Sequence, residues 1–217
     1  MKKIIALLPM RAGSQRVINK NTRKINGKYL YEFVLEKLIK SDLISLILIN
    51  TDISQVKQKY HNNNKIRLIE RSEKLKGNCD INLVIADSIK DFEADLFIQT
   101  HVTNPLYKLE TLKRAIKYYF DNINTYDSLF GVTRIYKRFW YEGAIPVNHQ
   151  IESEPTTQNL TPYFEENSCF YLFSKNSFLK KNNRIGDKPK LFEIPKEESW
   201  DIDEEEDLII LEKLLSI

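Results

Sequence analysis

A basic loop near the start of the sequence has the composition of a phosphate-binding site. It follows an apolar run and contains Arg11, Gly13, Ser14, Arg16 and Lys20. Glycine lets the backbone approach an anion closely, and guanidinium and ammonium groups donate charge-assisted hydrogen bonds to phosphate oxygens. The loop carries neither the GxxxxGK[ST] nor the GxGxxG pattern. The residues alone leave two interpretations open, a phosphate site or a solvent-exposed loop after an edge strand.

Two acidic residues near the end of the sequence, Asp201 and Asp203, have the spacing of a metal-binding pair. In an extended chain, residues i and i+2 point to the same side, about 6.6 Å apart. Mg²⁺ typically uses one or two carboxylates together with substrate phosphates. The alternative is that one of the two caps the last helix, where the acidic run 204–207 favours the helix dipole and otherwise faces solvent. Both interpretations can hold together.

Short apolar runs alternate with amphipathic stretches along the chain, which predicts β-strands alternating with α-helices. The predicted strands cover residues 3–8, 45–50, 66–69, 96–100, 128–133, 169–173 and 191–194. The predicted helices cover residues 29–43, 81–92, 109–120 and 203–215, with a further short helix that ends at residue 60. This order predicts an α/β fold, a mostly parallel sheet with helices on both faces.

Ligands bind such sheets beyond the carboxyl ends of the strands. Three sets of polar residues follow predicted strand ends: the basic loop, Arg71 and the pair Thr103–Asn104. We therefore expect these residues to line one site.

The segment 134–162 interrupts the alternation of strands and helices. It carries clustered aromatic residues followed by prolines and polar residues. An ordinary long loop packed by its aromatic side chains is one interpretation of this composition. The aromatic enrichment is also weakly consistent with a protein interface.

The composition fits one soluble domain of 217 residues, 42% apolar and 29% charged. A net charge of only +3 argues against a dedicated nucleic-acid-binding protein. Cys79 and Cys169 have no metal-type spacing, and we expect free thiols in a reducing compartment. The apolar run 4–8 is too short for a signal peptide, and no stretch is long enough to span a bilayer. These features predict a cytoplasmic protein with no membrane partner.

The motifs resemble those of one enzyme family. RAGSQRVINKN, from Arg11 to Asn21, is similar to the R-x-G-S-x-R-x-x-x-K-N signature of the acylneuraminate (CMP-sialic acid) cytidylyltransferases. Three further stretches follow in the family's order and are similar to its E-R-P-x-E, T-S-P-L, and x-N-G-x-x-Y with D-I-D segments. They are residues 70–73, residues 103–106, and residues 166–171 with 201–203. Asn21 favours the sialic-acid branch, because the related enzymes for 3-deoxy-manno-octulosonate usually continue K-P.

The resemblance implies a Rossmann-like nucleotidyltransferase fold in three layers that transfers CMP from CTP to the hydroxyl of an acidic sugar and releases pyrophosphate. It implies nucleotide binding by Arg11, Ala12, Gly13, Ser14, Arg16, Lys20, Asn21 and Arg71. It assigns catalytic roles to Arg11, Lys20 and Asp203, and a Mg²⁺ ion or another divalent cation to Asp201 and Asp203. The implied sugar-binding residues are Gln99, His101, Thr103, Asn104, Asn167 and Tyr171. A single domain, 1–217, is expected, with a dimerisation arm at 134–165 that makes a homodimer.

Two positions depart from the family pattern. His101 stands where the family has a sugar-contacting glutamine, and Gln99, two residues earlier, shares its side of the strand. A strand-end histidine with internal hydrogen bonds is the other interpretation of His101. Glu165 replaces an arginine that in relatives helps to bind the sugar carboxylate. An acid there would repel that carboxylate by about 1–4 kcal/mol at ~4 Å.

Another cation could take the place of that arginine, and residues Arg134, Lys137 and Arg138 are candidates. The alternatives are a same-fold nucleotidyltransferase for another sugar or sugar phosphate, and a nucleotide-binding protein without turnover. Retention of Arg11 and Lys20 together with both aspartates argues against loss of the chemistry.

Overall fold

The computed structural model describes residues 2–152 and 156–216. Residues 153–155 of the predicted arm, and both terminal residues of the predicted domain, lie outside the described residues. The strands are β1 (Ile4–Leu7), β2 (Lys24–Ile25), β3 (Lys28–Tyr29), β4 (Leu46–Thr51), β5 (Ile66–Glu70), β6 (Leu96–Thr100), β7 (Ser128–Ile135), β8 (Trp140–Tyr141), β9 (Ile145–Pro146), β10 (Tyr163–Phe173) and β11 (Pro189–Glu193). The helices are α1 (Leu30–Lys40), α2 (Ser54–Tyr60), α3 (Ile81–Ile89), α4 (Leu109–Asp121), α5 (Lys175–Lys181) and α6 (Glu205–Leu214).

In the described ranges, seven strands form one sheet in the order β11-β7-β10-β6-β1-β4-β5. β1 runs parallel to β4 and β6, β4 runs parallel to β5, and β11 runs parallel to β7. β10 is antiparallel to both of its neighbours, β6 and β7. The sheet is therefore mostly parallel. Because β10 runs in the opposite direction to its neighbours, its first half lies at the edge where the parallel strands end.

The sheet separates two apolar cores. Along β1 the side chains alternate, with Ile4 and Ala6 in one core and Ile5 and Leu7 in the other. The first core packs α1, α2, α4 and α6 against the sheet, and the second packs α3 and α5. Helices cover both faces, as predicted, and every residue of β1 is buried as expected for a central strand.

Helix ends differ from the predicted ones for local reasons. The predicted helix 29–43 ends at Lys40, because Ser41 adopts an extended conformation. The predicted helix 203–215 begins at Glu205, and Glu204 is its capping residue. The alternative that Asp201 or Asp203 caps this helix is therefore wrong. No helix in the described residues is both long enough and apolar enough to cross a membrane.

The sequence patterns did not predict helix α5, the β2–β3 hairpin or the β8–β9 hairpin. β10 is also longer than the predicted strand 169–173. Its first four residues are exposed and pair with the end of β7, beyond the end of β6. A bulge separates this ribbon from the buried half, and Ser168 within it has φ +58°, where the family motif carries a glycine.

Candidate functional site

Two clefts open at the carboxyl edge of the parallel strands. The first, the basic cleft, has a volume of about 690 Å³. Its polar lining includes Arg11, Ser14, Gln15, Arg16, Lys20, Asn21, Arg71, Asn78, Cys79, His101 and Thr103. The second, the acidic cleft, has a volume of about 760 Å³. Its polar lining includes Thr133, Arg134, Lys137, Glu165, Glu166, Asn167, Ser168, Lys196, Asp201, Asp203 and Asp207.

The basic loop is held in shape by its own residues. Val17 is fully buried and anchors the middle of the loop in the core. The Asn21 side-chain amide donates to the Arg11 carbonyl oxygen at 2.8 Å, which closes the loop. Gly13 has φ +71° and open space around it, so the backbone there is accessible to a ligand. The Ala12 N–H donates to Asp52 at 2.7 Å, so this amide is already hydrogen-bonded within the protein.

Arg11 reaches across the mouth of the basic cleft. Its guanidinium donates to Asn78 Oδ1 at 2.8 Å, and the Asn78 amide donates to Gln15 at 3.2 Å. These contacts are exposed hydrogen bonds between polar side chains. A triphosphate can replace them at little cost in free energy, because an anionic phosphate oxygen is a stronger acceptor for a guanidinium than a neutral amide oxygen.

Arg71 lies at the bottom of the basic cleft and is buried. Its Nε donates to Asn50 Oδ1 at 3.0 Å and a terminal nitrogen donates to the Asn50 carbonyl at 3.2 Å. Burial lowers the pKa of the Arg71 guanidinium, which nevertheless stays charged at neutral pH. Because Asn50 fixes its position, the remaining N–H groups of Arg71 are preorganised toward the cleft.

Lys20 joins the basic loop to the end of the chain. Its side chain is only 11% exposed, and its Nζ donates to the Ile202 carbonyl oxygen and lies 3.5 Å from Asp203 Oδ1. Arg16 pairs with the same aspartate at 2.5 Å and with Glu204 at 3.4 Å. The predicted phosphate-binding cations and one predicted metal ligand therefore meet in space.

Asp201, the other member of the acidic pair, is half-buried. Its Oδ1 is shielded from solvent and has no hydrogen-bond partner in the described structure. Burial raises the pKa of Asp201, and a hydrogen bond with Thr103 opposes this shift. A shielded carboxylate oxygen without a hydrogen-bond partner destabilises the folded protein unless a cation binds it.

The donor set tests the predicted metal site. Within the described ranges, no three His, Cys, Asp or Glu side chains form a metal-binding group. A cation at Asp201 and Asp203 would then need oxygen ligands from substrate phosphates and water, which is the usual arrangement for Mg²⁺. The free oxygen of Asp201 fits such an ion. Asp203 can bind such an ion only after Arg16 has released the Asp203 carboxylate and paired with a phosphate instead.

The later acids of the run 204–207 are not merely solvent-facing. The Asp207 carboxylate accepts hydrogen bonds from the backbone N–H groups of Asp203 and Glu204, both at 2.8 Å. This fixes the turn before α6 and so the direction of the Asp203 side chain. The expectation that all these acids only face solvent is wrong for Asp207.

A network of polar side chains lies around Tyr171, on the buried half of β10. Arg184 donates to Gln99 Oε1 and to His101 Nε2, the latter at 3.0 Å, and its guanidinium lies 3.4 Å from the centre of the Tyr171 ring. Since arginine only donates, His101 Nε2 must accept, and the ring is neutral with its proton on Nδ1. Burial, with the charge of Arg184, lowers the pKa of His101 to about 3.

The other predicted sugar-binding residues divide into two groups. Thr103 lines the basic cleft and Asn167 lines the acidic cleft. Asn104 is fully buried and donates to the Asn167 carbonyl at 2.9 Å, while the Asn167 amide donates to Thr133 at 3.1 Å. Gln99 is likewise fully buried. The structure thus places Asn104 and Gln99 behind the cleft surface, where they support residues that line it.

The proposed replacements for the missing arginine are placed unequally. Arg134 is held by Glu193 through three contacts of 2.7–3.0 Å. Lys137 lines the acidic cleft. The sequence interpretation missed Arg184, because it stands alone in a turn after a short helix and belongs to no spacing pattern. It also missed Asp52, which the rule on strand ends could have found, since Asp52 directly follows β4.

Comparison with known proteins identifies the family. Residues 5–214 match the family model described as Cytidylyltransferase. The chain is 23% identical over 218 residues to the N-acylneuraminate cytidylyltransferase of Streptococcus agalactiae serotype V, covering 95% of this chain and 52% of that protein. It is 22% identical over 220 residues to the pseudaminic acid cytidylyltransferase of Campylobacter jejuni, covering 95% and 93%. The chain spans about half the length of the first of these relatives.

Solved structures agree on the fold. A CMP:2-keto-3-deoxy-manno-octonic acid synthetase complexed with CTP superposes with a TM-score of 0.71 at 14% identity, covering 99% of this chain and 98% of that one. A 4-diphosphocytidyl-2C-methyl-D-erythritol synthase from Anaerococcus prevotii superposes with a TM-score of 0.70 at 13% identity, covering 100% and 97%. The predicted nucleotidyltransferase fold is confirmed. With a family model matched from the first strand to the last helix, the chain belongs to the cytidylyltransferase family.

Proposed function

We propose that this protein transfers CMP from CTP to a hydroxyl of an acidic, sialic-acid-like sugar and releases pyrophosphate. The observation that carries the proposal is the meeting of Lys20 and Arg16 with Asp203 between the two clefts. Cations that can hold a triphosphate lie against carboxylates that can hold a divalent cation. Nucleotidyl transfer needs the cationic side chains and the divalent cation at the same reacting phosphate, because catalysis consists of positioning and charge neutralisation.

In this proposal the triphosphate lies in the basic cleft. Arg11, Ser14, Arg16 and Lys20 donate to its oxygens, and the open backbone at Gly13 approaches the nucleotide. Asn21 maintains the loop through its bond to the Arg11 carbonyl. Arg71, fixed by Asn50, adds positive charge at the bottom of the cleft.

Asp201 and Asp203 are the residues that would hold Mg²⁺. When bound there, the ion would supply charge neutralisation at the reacting phosphate and lower the pKa of the attacking hydroxyl. Lys20 keeps the Asp203 region in place through the Ile202 carbonyl, and Asp207 fixes the turn. In the transfer, the sugar oxygen forms a bond to the α-phosphorus, the bond to the β-phosphate oxygen breaks, and the hydroxyl proton is released.

The acceptor is proposed to lie where the two clefts meet, near His101 and Thr103 on one side and Asn167 on the other. Tyr171 is fully buried and packs edge-on against the His101 ring, so in this proposal it supports the acceptor site from behind. Neutral His101 can donate a hydrogen bond from Nδ1 without adding charge, since its Nε2 accepts from Arg184. The alternative, transfer to another sugar, is favoured by Glu165 and Glu166, two acids on the acidic cleft where an anion would be repelled.

We also propose that the chain forms a homodimer through the segment 134–165. Several aromatic and aliphatic side chains of this segment are exposed, namely Tyr136, Trp140, Tyr141, Ile145, Tyr163 and Phe164. Large exposed aromatic side chains are typical of protein interfaces. Light scattering after size-exclusion chromatography would give twice the chain mass, and a purely monomeric species at micromolar concentration would contradict the dimer.

The activity is tested by pyrophosphate release. CTP and Mg²⁺ would be incubated with N-acetylneuraminate, other nonulosonates and 3-deoxy-manno-octulosonate, and the other nucleoside triphosphates would follow with any active sugar. Asp203→Asn should lower the rate at least about 100-fold, because charge stabilisation of a transition state is worth that much. Glu205→Gln is the matched control. It removes an exposed acid two residues away, whose ion pair in the described structure is with Arg23, and the rate should stay within about twofold.

Normal turnover in Asp203→Asn would contradict the proposed mechanism. CTP binding without turnover across the whole panel would contradict the proposed reaction.

A further inference from the structure

We propose that Arg184 binds the carboxylate of the acceptor sugar, replacing the arginine for which this chain has Glu165. The inference rests on the proposed function and names the residue that selects an acidic acceptor. Arg184 lies in the turn that follows α5, on a different element from Glu165. It contacts Tyr171 and lies 3.7 Å from Glu166, and both of these residues are on β10, as Glu165 is.

Arg184 is buried among residues of the proposed acceptor site. Its side chain is only 13% exposed. It contacts Gln99, His101 and Tyr171, three of the residues predicted to bind the sugar. Its neighbours reach both clefts, since His101 lines the basic cleft and Glu166, its acidic neighbour, lines the acidic cleft.

The positive charge of Arg184 is only loosely matched within the chain. Gln99, His101 and Tyr171 are neutral acceptors or a ring face, and His101 stays neutral beside it. Two carboxylates act on the guanidinium, those of Glu166 and Asp80. Asp80 is committed to the start of α3, where it accepts from the Asn82 N–H at 2.8 Å.

Glu166 is close to Arg184 without forming a hydrogen bond. Its Oε1 lies 3.7 Å from the Arg184 terminal nitrogen and accepts instead from the Tyr171 hydroxyl. The Glu166 side chain is 43% exposed and can turn toward solvent. A buried cation needs a well-placed anion, and here it has one at a distance longer than a hydrogen bond.

These contacts assign opposite roles to the two residues. Arg184 attracts the sugar carboxylate, which forms the two parallel hydrogen bonds that a guanidinium prefers. Glu166 occupies that position in the ligand-free protein and competes with the sugar. Removing the cation should therefore weaken acceptor binding, whereas removing the competing acid should strengthen it.

The test compares Arg184→Gln, Arg184→Lys and Glu166→Gln with Lys181→Gln as the control. Lys181 is a cation at the end of α5, three residues before Arg184, that pairs with Asp187 and lines neither cleft. Steady-state pyrophosphate release would give KM for CTP and for the acidic sugar separately, and thermal melting would report folding.

We expect Arg184→Gln to raise the acceptor KM at least about tenfold with the KM for CTP unchanged, since a desolvated charge pair is lost. Arg184→Lys should recover part of the loss, because the charge stays but the fork geometry does not. Glu166→Gln should lower the acceptor KM about threefold. Lys181→Gln should change neither constant.

A purely structural role for Arg184 predicts a different result. The KM values for CTP and sugar would then rise together with a lower melting temperature, and Glu166→Gln would not improve binding. Either result overturns the inference. If Arg184→Gln does not fold, the Arg184→Lys and Glu166→Gln variants decide the question alone.

Wild-type protein that releases no pyrophosphate with any sugar would refute the proposed function, and the inference would then be tested by binding. Calorimetric titration with N-acetylneuraminate should show saturable binding that Arg184→Gln abolishes. Absence of binding to the wild-type protein, or equal binding to the variant, overturns it.

Discussion

Asp201 offers a test in which stability and activity should change in opposite directions. Its carboxylate is half-buried, its Oδ1 has no partner in the described residues, and burial raises its pKa. In Asp201→Asn the side-chain oxygen can keep the bond with Thr103, and a neutral N–H group takes the place of an uncompensated anionic oxygen. An unsatisfied buried polar group costs about 1–3 kcal/mol, and a charged one costs more.

The expected stability gain is therefore about 0–2 kcal/mol in the absence of metal. For a domain of this size that is a rise in Tm of up to about 8 °C. With Mg²⁺ and CTP the order should reverse. A ligand at 100 times its Kd stabilises the wild-type protein by about 2.7 kcal/mol, and the variant lacks this gain.

Differential scanning fluorimetry with EDTA, and then with Mg²⁺ and CTP, measures both effects. Asp203→Asn is the comparison, since Asp203 is 47% exposed and its ion pairs contribute less than about 1 kcal/mol to folding. A Tm that falls by several degrees in Asp201→Asn with EDTA would show that Oδ1 has a partner in the folded protein. If Mg²⁺ and CTP raised the Tm of Asp201→Asn as much as that of the wild-type protein, the assignment of the metal site would be refuted.

Two further predictions concern other parts of the site. The pKa of His101 falls from about 6.5 in the unfolded chain to about 3 in the folded one, so below pH 6.5 the unfolded state takes up a proton that the folded state does not. The free energy of unfolding should therefore fall by about 2 kcal/mol from pH 6.5 to 5. Urea titrations should show that His101→Gln lacks this part of the pH dependence. If the free energy of unfolding depended on pH in the same way in the variant and the wild-type protein, the ring would not be neutral and buried. In Gly131→Ala the new Cβ would lie 2.5 Å from Ile194 Cδ1 and 2.7 Å from Asn167 Oδ1, so we expect a loss of about 1–3 kcal/mol in the same assay, and a change below about 0.5 kcal/mol would show that both side chains can move away.

The sheet and most helices could be predicted because their signals are local. Buried strands such as β1 and β4 are continuous apolar runs, and α4 places its apolar residues on one face. The first half of β10 gives no such signal. Residues 163–166 are exposed and pair with β7, so neither face of this segment shows the buried apolar residues by which a core strand is recognised. Helix α5 is only seven residues long, too short for a clear period.

The site was predictable to the extent that its residues follow strand ends. The basic loop, Arg71 and Thr103 obey that rule and line one cleft. Arg184 could not be found in this way, because its partners lie on β6 and β10, and only the tertiary fold brings them together. Asn104 shows the converse. It follows a strand end and matches a motif, yet it is buried and bonded to the backbone of β10.

The contact between Lys20 and the Ile202 carbonyl has a consequence for how the protein is made. The two residues are 182 positions apart. At about 5–20 residues per second, roughly 10–40 s pass between the synthesis of Lys20 and that of its partner. During that time Arg16 and Lys20 lack the acidic partners that the end of the chain supplies. A nascent chain that stops before Asp201 therefore carries the cations of the basic loop without the carboxylate that faces them in the folded protein.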